Sequence, residues 1–278
     1  MKVINRASTW LIVAIMSIFY ACSSGDEEVN PEKELSELYL LSEHSIPNTD
    51  LKVRTYTYME DLIVGYNKFQ FLVEKSGMSE AFTNVEISIK SMMDMGTMMH
   101  ACPIENPVLG TEFESALGGA AVFVMPSGDM GRWTMTLKVT DKDTDHEGEV
   151  TFPVNIKLPD EARLRSFSMG DDKYFVSLVE PFQPQVGIND FVVAVHKKAS
   201  MTDWPPEQAF EISIEPEMPD MGHGSPNNVD PVHVKDGHYQ GKVNFTMDGY
   251  WKVNLDLDKD NNKQELSFDI TFEHSSTN

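Results

Sequence analysis

Cysteine is scarce in this sequence: the 278 residues hold two, Cys22 and Cys102. A disulfide scaffold is excluded, because small disulfide-built folds need several bridges. Positive charge is scarce too. Lys and Arg number 22 against 44 Asp and Glu, a formal charge of −22. Binding to nucleic acid requires a basic face, which this balance does not supply. The usual catalytic signatures are missing as well. There is no Gly-x-Ser-x-Gly elbow, no phosphate-binding glycine loop and no His-Glu-x-x-His, so a non-enzymatic role is expected. The only long apolar run, Trp10 to Ala21, is too short to cross a bilayer comfortably. What remains is a chain with 41% hydrophobic residues, enough to build real cores.

The N-terminus has the layout of a secretion signal: Lys2 and Arg6, the apolar run, then Phe19-Tyr20-Ala21-Cys22. Its end resembles a lipobox, with Phe19 where Leu is usual. The resemblance implies a signal peptide over residues 1–21, lipid attachment at Cys22, and Cys102 left without an intramolecular partner. Residues 22–49 are then a tether, opening with Ser23-Ser24-Gly25-Asp26-Glu27-Glu28, a composition that cannot pack a core. An acidic stretch at that place also resembles the surface-export signal of Bacteroidetes lipoproteins. Together these imply an outer membrane lipoprotein, periplasmic or surface-exposed, held to the membrane through Cys22. A short helix from Glu34 to Leu41 is expected at the end of the tether.

The body of the chain is written twice, with a period of roughly 120 residues. Gly65-Tyr66-Asn67-Lys68-Phe69 matches Gly187-Ile188-Asn189-Asp190-Phe191. Phe69, Phe71 and Val73 alternate as Phe191, Val193 and Val195 do; Val85, Ile87 and Ile89 alternate as Phe210, Ile212 and Ile214 do. A period of two marks half-buried strands. Met92-Met93-Asp94-Met95-Gly96 then aligns with Met218-Pro219-Asp220-Met221-Gly222, and His100 with His223. Gly131-Arg132-Trp133 aligns with Gly249-Tyr250-Trp251, each opening a strand whose indole is expected to plug a core. Short strands separated by Gly, Pro and Asp turns predict an all-β protein of two tandem Ig-like antiparallel β-sandwiches. They are placed at 50–158 and 159–274, each with its own core.

The segment richest in potential chemistry is Met92, Met93, Met95, Met98, Met99, His100 and Cys102. Thioethers are soft and uncharged at every pH, and they select copper(I); imidazole suits copper and zinc. The second copy offers Met218, Met221 and His223. The candidate metal ligands are therefore Met92, Met95, Met98, Met99, His100, Cys102, Met218, Met221 and His223, with copper as the cofactor. Two other readings stand beside this one. Methionine is a flexible gap-filler, and Met93 continues the alternation of Val85, Ile87 and Ile89, so some of these side chains are core. An exposed Met-rich loop also suits an apolar partner surface.

Other polar clusters carry less. Asp256-x-Asp258-x-Asp260 opens like a calcium loop, but Asn261 stands where Gly is needed and Ser267 where the bidentate Glu belongs. Asp141-x-Asp143-x-Asp145 departs in the same way, so both are read as hairpin turns. His44, His146, His196 and His274 lack ligand spacing. His233 and His238 flank Asp236-Gly237 and are placed to approach across a hairpin.

The stretch Glu217-Met218-Pro219-Asp220-Met221-Gly222-His223-Gly224, followed by Gly237-His238-Tyr239-Gln240-Gly241 and Met247-Asp248-Gly249-Tyr250-Trp251, resembles the YtkA-like domain and its relative FixH. The first copy, residues 62–140, is similar but lacks the Gly-x-Tyr stretch. The resemblance implies small extracytoplasmic β-sandwiches and a link to copper handling. Two functions follow as expectations: a lipoprotein that binds or passes copper, with a copper-handling partner, or a structural or adhesive surface module that binds a protein or glycan without metal.

Overall fold

A computed structural model describes residues 35–273. The expected signal peptide, Cys22 and His274 lie outside the described residues. The first unit runs β1 (Tyr39–Ser45), β2 (Leu51–Thr57), β3 (Leu62–Ile63), β4 (Gly65–Lys75), β5 (Val85–Asp94), β6 (Met99–Ala101), β7 (Ile104–Leu109), β8 (Leu117–Phe123), β9 (Arg132–Asp141), β10 (Glu147–Val154) and β11 (Ile156–Lys157). The second runs β12 (Leu164–Met169), β13 (Asp172–Glu180), β14 (Gly187–Lys197), β15 (Glu211–Met218), β16 (His223–Gly224), β17 (Val229–Lys235), β18 (His238–Phe245), β19 (Gly249–Lys259) and β20 (Asn262–Phe272).

The expected all-β architecture is what the chain adopts. One sheet of the first unit has the order β1-β2-β4-β8-β7 and the other β10-β9-β5-β6; the second unit repeats this as β12-β13-β14-β18-β17 and β16-β15-β19-β20. Among the described residues only the small parallel pair β3 and β11 has no counterpart. Alternation explains the packing. Along β5 the residues Val85, Ile87, Ile89, Ser91 and Met93 turn inward while their neighbours face out. Each unit owns a core: Phe69, Phe71, Phe123 and Trp133 are fully buried in one, and Phe191, Phe245, Phe268 and Trp251 in the other. Each such phenylalanine contributes about 1.5–3 kcal/mol by leaving water.

The repeated Gly-x-Asn motif has a structural task. In the first unit the Asn67 amide donates to the carbonyls of Ile63 (2.8 Å) and Gly65 (2.8 Å), while its carbonyl oxygen accepts from the Ile63 N–H (2.9 Å). Asn189 repeats this clasp with Gln185 and Gly187. Gly65 and Gly187 open the two strands at φ of 128° and 107°, which a side chain would resist. The acidic segments are turns, as expected. Asp260 and Asn261 both take positive φ (54° and 61°), the geometry of a tight hairpin. Asp141 is buried and paired with Lys75 at 2.7 Å.

Two expectations at the N-terminal boundary need correction. Residues 35–38 form a turn and Tyr39 begins β1, so the expected helix over Glu34 to Leu41 is absent from its described part. The chain there is extended because it pairs with β2, an arrangement pinned by Glu43 with Lys52 (2.9 Å) and Arg54 (2.7 Å). The first sandwich thus reaches into the stretch 22–49 assigned to the tether. Leu35 and Ile46 are buried there, and β1 occupies the place that β12 takes in the second unit.

The units also touch. Ala101 packs with Phe175 and Trp204 in a small apolar cluster. Nearby, Lys68 meets Glu180 at 2.8 Å, and Glu105 accepts from the Tyr66 hydroxyl (2.7 Å) while facing His238 Nε2 (2.7 Å).

Candidate metal centre

The hairpin β5–β6 carries the Met-rich segment, and its register decides which side chains meet. Met93 lies opposite His100 on β6 and opposite Trp133 on β9. Direct cross-strand partners share one face, with Cβ atoms about 4.5–5.5 Å apart. That face is the sandwich interior: Met93 and Trp133 are fully buried and His100 is 4% exposed. The ring centroids of His100 and Trp133 are 5.1 Å apart, edge to face.

The imidazole is held by its own strand. His100 Nδ1 lies 2.9 Å from the Ala101 carbonyl oxygen. A carbonyl only accepts, so Nδ1 carries a proton, and in the neutral ring the lone pair is left on Nε2. His100 Nε2 is buried and has no hydrogen-bond partner. This is the arrangement seen in ligating histidines, where the second ring nitrogen is anchored to fix tautomer and orientation.

The second unit repeats the geometry. Met218 lies opposite His223, and the Glu217–Lys252 pairing sets Met218 opposite Trp251. His223 Nδ1 is 3.0 Å from the Gly224 carbonyl oxygen, and its ring lies 5.9 Å from that of Trp251. Both indoles are anchored alike, Trp133 donating to the Met125 carbonyl and Trp251 to the Met247 carbonyl, each at 2.9 Å. Both thioethers lie against a glycine. A Cβ on Gly131 would come within 2.9 Å of Met93 Cε, and one on Gly249 within 2.8 Å of Met218 Cε. The Gly-x-Trp motif therefore leaves room for a methionine methyl beside the indole.

This register corrects the alignment of the two copies. Met93, not Met92, is the counterpart of Met218. The donors expected between Met92 and Cys102 do not converge, because a strand sends neighbours to opposite faces. Met92 faces away from the core and packs against the Ala101–Phe175–Trp204 cluster. Met95 is half-buried against the first core. Met98 and Met99 are each 52% exposed, and Met221 is 61% exposed. Cys102 is buried in the first core, and burial pushes its thiol well above the ordinary range, so it remains a thiol and not a thiolate. His233 and His238 diverge: His233 Nε2 accepts from the Gly237 N–H at 3.4 Å, whereas His238 reaches Glu105 in the other unit.

Sequence reasoning counted Met93 in the donor-rich segment but left it off the ligand set as a core side chain, and it missed the junction cluster of Tyr66, Glu105, His196 and His238. Burial pushes Glu105 up, but the His238 hydrogen bond and charge, with the Tyr66 hydroxyl, hold it below the ordinary carboxylate range. Burial lowers His196 to about 4. These residues come from four strands distant in sequence, so no spacing announces them.

A family model described as YtkA-like matches residues 168–256. The match begins in β12, ends in β19 and includes Met218, His223 and Trp251. No curated protein matches the chain. Among solved structures the chain is similar to the crystal structure of a conserved domain protein from Bacillus anthracis, at 9% identity and a TM-score of 0.35, over 88% of this chain and 94% of that one.

Proposed function

We propose that this protein binds copper(I) at two equivalent places, one in each sandwich, and passes it on at the cell envelope. The observation that carries this is the buried Nε2 of His100, without a hydrogen-bond partner and across the β5–β6 ladder from the Met93 thioether. A buried lone pair without a donor costs about 1–3 kcal/mol, and a bound soft cation would remove that cost. His100 and Met93, with Trp133 as a wall, would hold the first ion; His223 and Met218, beside Trp251, would hold the second. An imidazole and a thioether are a donor pair suited to copper(I). Met98, Met99 and Met221, exposed near these pairs, supply further thioethers through which an incoming ion could be captured. Attachment to the outer membrane through a lipid on Cys22 is part of the same proposal and is supported by the resemblance of Phe19-Tyr20-Ala21-Cys22 to a lipobox.

A second reading, a display module that binds a protein, is favoured by β17. On this edge strand Val229, Val232 and Val234 are all more than half exposed, and an apolar edge strand invites pairing with another chain. Titration of the whole chain with copper(I) against a chromogenic chelator separates the two. Copper binding at two equivalents is expected, with His100→Ala and His223→Ala each removing one. A parent that fails to compete for copper(I) leaves the display module.

A further inference from the structure

β6 is an edge strand of its sheet, and its free side is occupied by the other sandwich. The Ala101 N–H donates to the Met201 carbonyl at 2.8 Å. Met201 belongs to the loop between β14 and β15 of the second unit. That loop is shaped by its own bonds, the Ala199 and Ser200 N–H groups both donating to the Asp203 carbonyl (3.0 and 3.1 Å). It presents Trp204, whose ring lies 5.0 Å from that of Phe175, and both pack on Ala101. Met92 reaches the same cluster from β5. Beside it opens a cleft of about 410 Å³, lined by Met92, Cys102, Pro103, Thr202 and Trp204 among others.

Ala101 is also the residue whose carbonyl anchors His100. A single residue is therefore gripped on its N–H by the second sandwich and on its carbonyl by the imidazole of the first site. The second site is built differently at this point. Its equivalent strand, β16, is two residues long, His223 is half-buried, and Met221 stands in solvent.

We infer that the second sandwich is the lid of the first copper site: docking of the loop that carries Met201 and Trp204 onto β6 fixes His100 and closes the site, and copper(I) exchanges there only when this junction opens. The inference rests on the copper reading above. Trp204 acts as a positioning residue, since it shapes the junction without lying among the ligands. The first site then exchanges slowly and the second quickly, although their donors are alike.

Copper(I) release from the whole chain to a chromogenic chelator, followed in time, is the test, paired with hydrogen exchange at the Ala101 amide in metal-free protein. The parent should release copper in two phases, the slow one lost in His100→Ala and the fast one in His223→Ala. Trp204→Ala should speed the slow phase about tenfold, within the range of ordinary coupling between sites, spare the fast phase, and loosen protection of the Ala101 amide. Trp204→Leu, which keeps apolar bulk, should act in the same direction more weakly and serves if the alanine variant does not fold. Two bound ions leaving at one common rate would overturn the lid and leave the copper reading intact. So would an unchanged slow phase once Ala101 protection is lost. No bound copper at all would overturn the copper reading and the lid with it, while unaltered Ala101 protection in Trp204→Ala would show that the junction does not clamp β6.

Discussion

The two half-sites share donors and differ in surroundings. In the first, His100 is 4% exposed, Met93 fully buried, and the neighbouring backbone is tied to the other sandwich; in the second, Met218 is buried but His223 is half-buried and stands beside an exposed Met221. Strand order, register and the Gly-x-Trp motif are common to both. The two units thus share the frame that places a thioether, an imidazole and an indole together, because register dictates it. Access is set by whatever lies against the edge strand, which register does not control.

The same contrast runs through the rest of the molecule and can be tested from the largest effect down. Position 196 on β14 holds a buried histidine, whereas its counterpart on β4, Glu74, is partly exposed and pairs with Lys52 and Arg54. His196 is lowered from 6.5 to about 4 by burial. The folded state therefore keeps it neutral while the unfolded chain takes up a proton below about pH 6.5. Stability should fall as pH drops from about 6.5 to about 4, and no further from this group below that. A tenfold difference in proton affinity between the two states is worth about 1.4 kcal/mol, so the loss is at most about 3.5 kcal/mol. Urea unfolding of His196→Leu at pH 7 and pH 5 should show a smaller difference between the two than the parent does. An identical difference would place the acid sensitivity elsewhere.

A smaller asymmetry separates the two asparagine clasps. Asn67 is buried, so Asn67→Ala strands the Ile63 N–H and carbonyl away from water and should cost about 1–3 kcal/mol. Asn189 makes the same bonds at the surface, where water replaces them, and Asn189→Ala should cost about 1 kcal/mol or less. Denaturant midpoints of the two variants, read against the parent, would reverse this order only if the clasp in the first unit were dispensable.

Much of the fold was legible because alternation and turn chemistry are local. The inward faces of β4, β5, β14 and β15, the hairpin at Asp260-Asn261 and the burial of Trp133 and Trp251 follow from a period of two and from residues that tolerate positive φ. The match of Gly65-Tyr66-Asn67 with Gly187-Ile188-Asn189 marked equivalent strands correctly. The site was legible only in part. In Met92-Met93-Asp94-Met95-Gly96 either of two adjacent methionines can be laid against Met218, and a shift of one residue exchanges the two faces of the strand. The match of Val85, Ile87 and Ile89 with Phe210, Ile212 and Ile214, carried forward, lays Met93 on Met218, and the cross-strand partners His100 and Trp133 agree with it. β1 was hidden because an edge strand with little buried surface resembles a tether in composition. The junction was hidden because Ala101, Phe175, Met201 and Trp204 are brought together by the docking of two units, which leaves no periodic trace.

The most direct measurement of the central claim compares two neighbouring methionines. Leucine keeps the volume and apolarity of methionine but removes the sulfur, at a stability cost below about 1.5 kcal/mol. Competition titration of the whole chain with copper(I) should show Met93→Leu binding one equivalent fewer than the parent, Met218→Leu likewise, and Met92→Leu binding as the parent does. Loss of copper in Met92→Leu with full binding in Met93→Leu would contradict the assignment, since the ion would then sit on the outer face of β5 and not between His100 and Trp133.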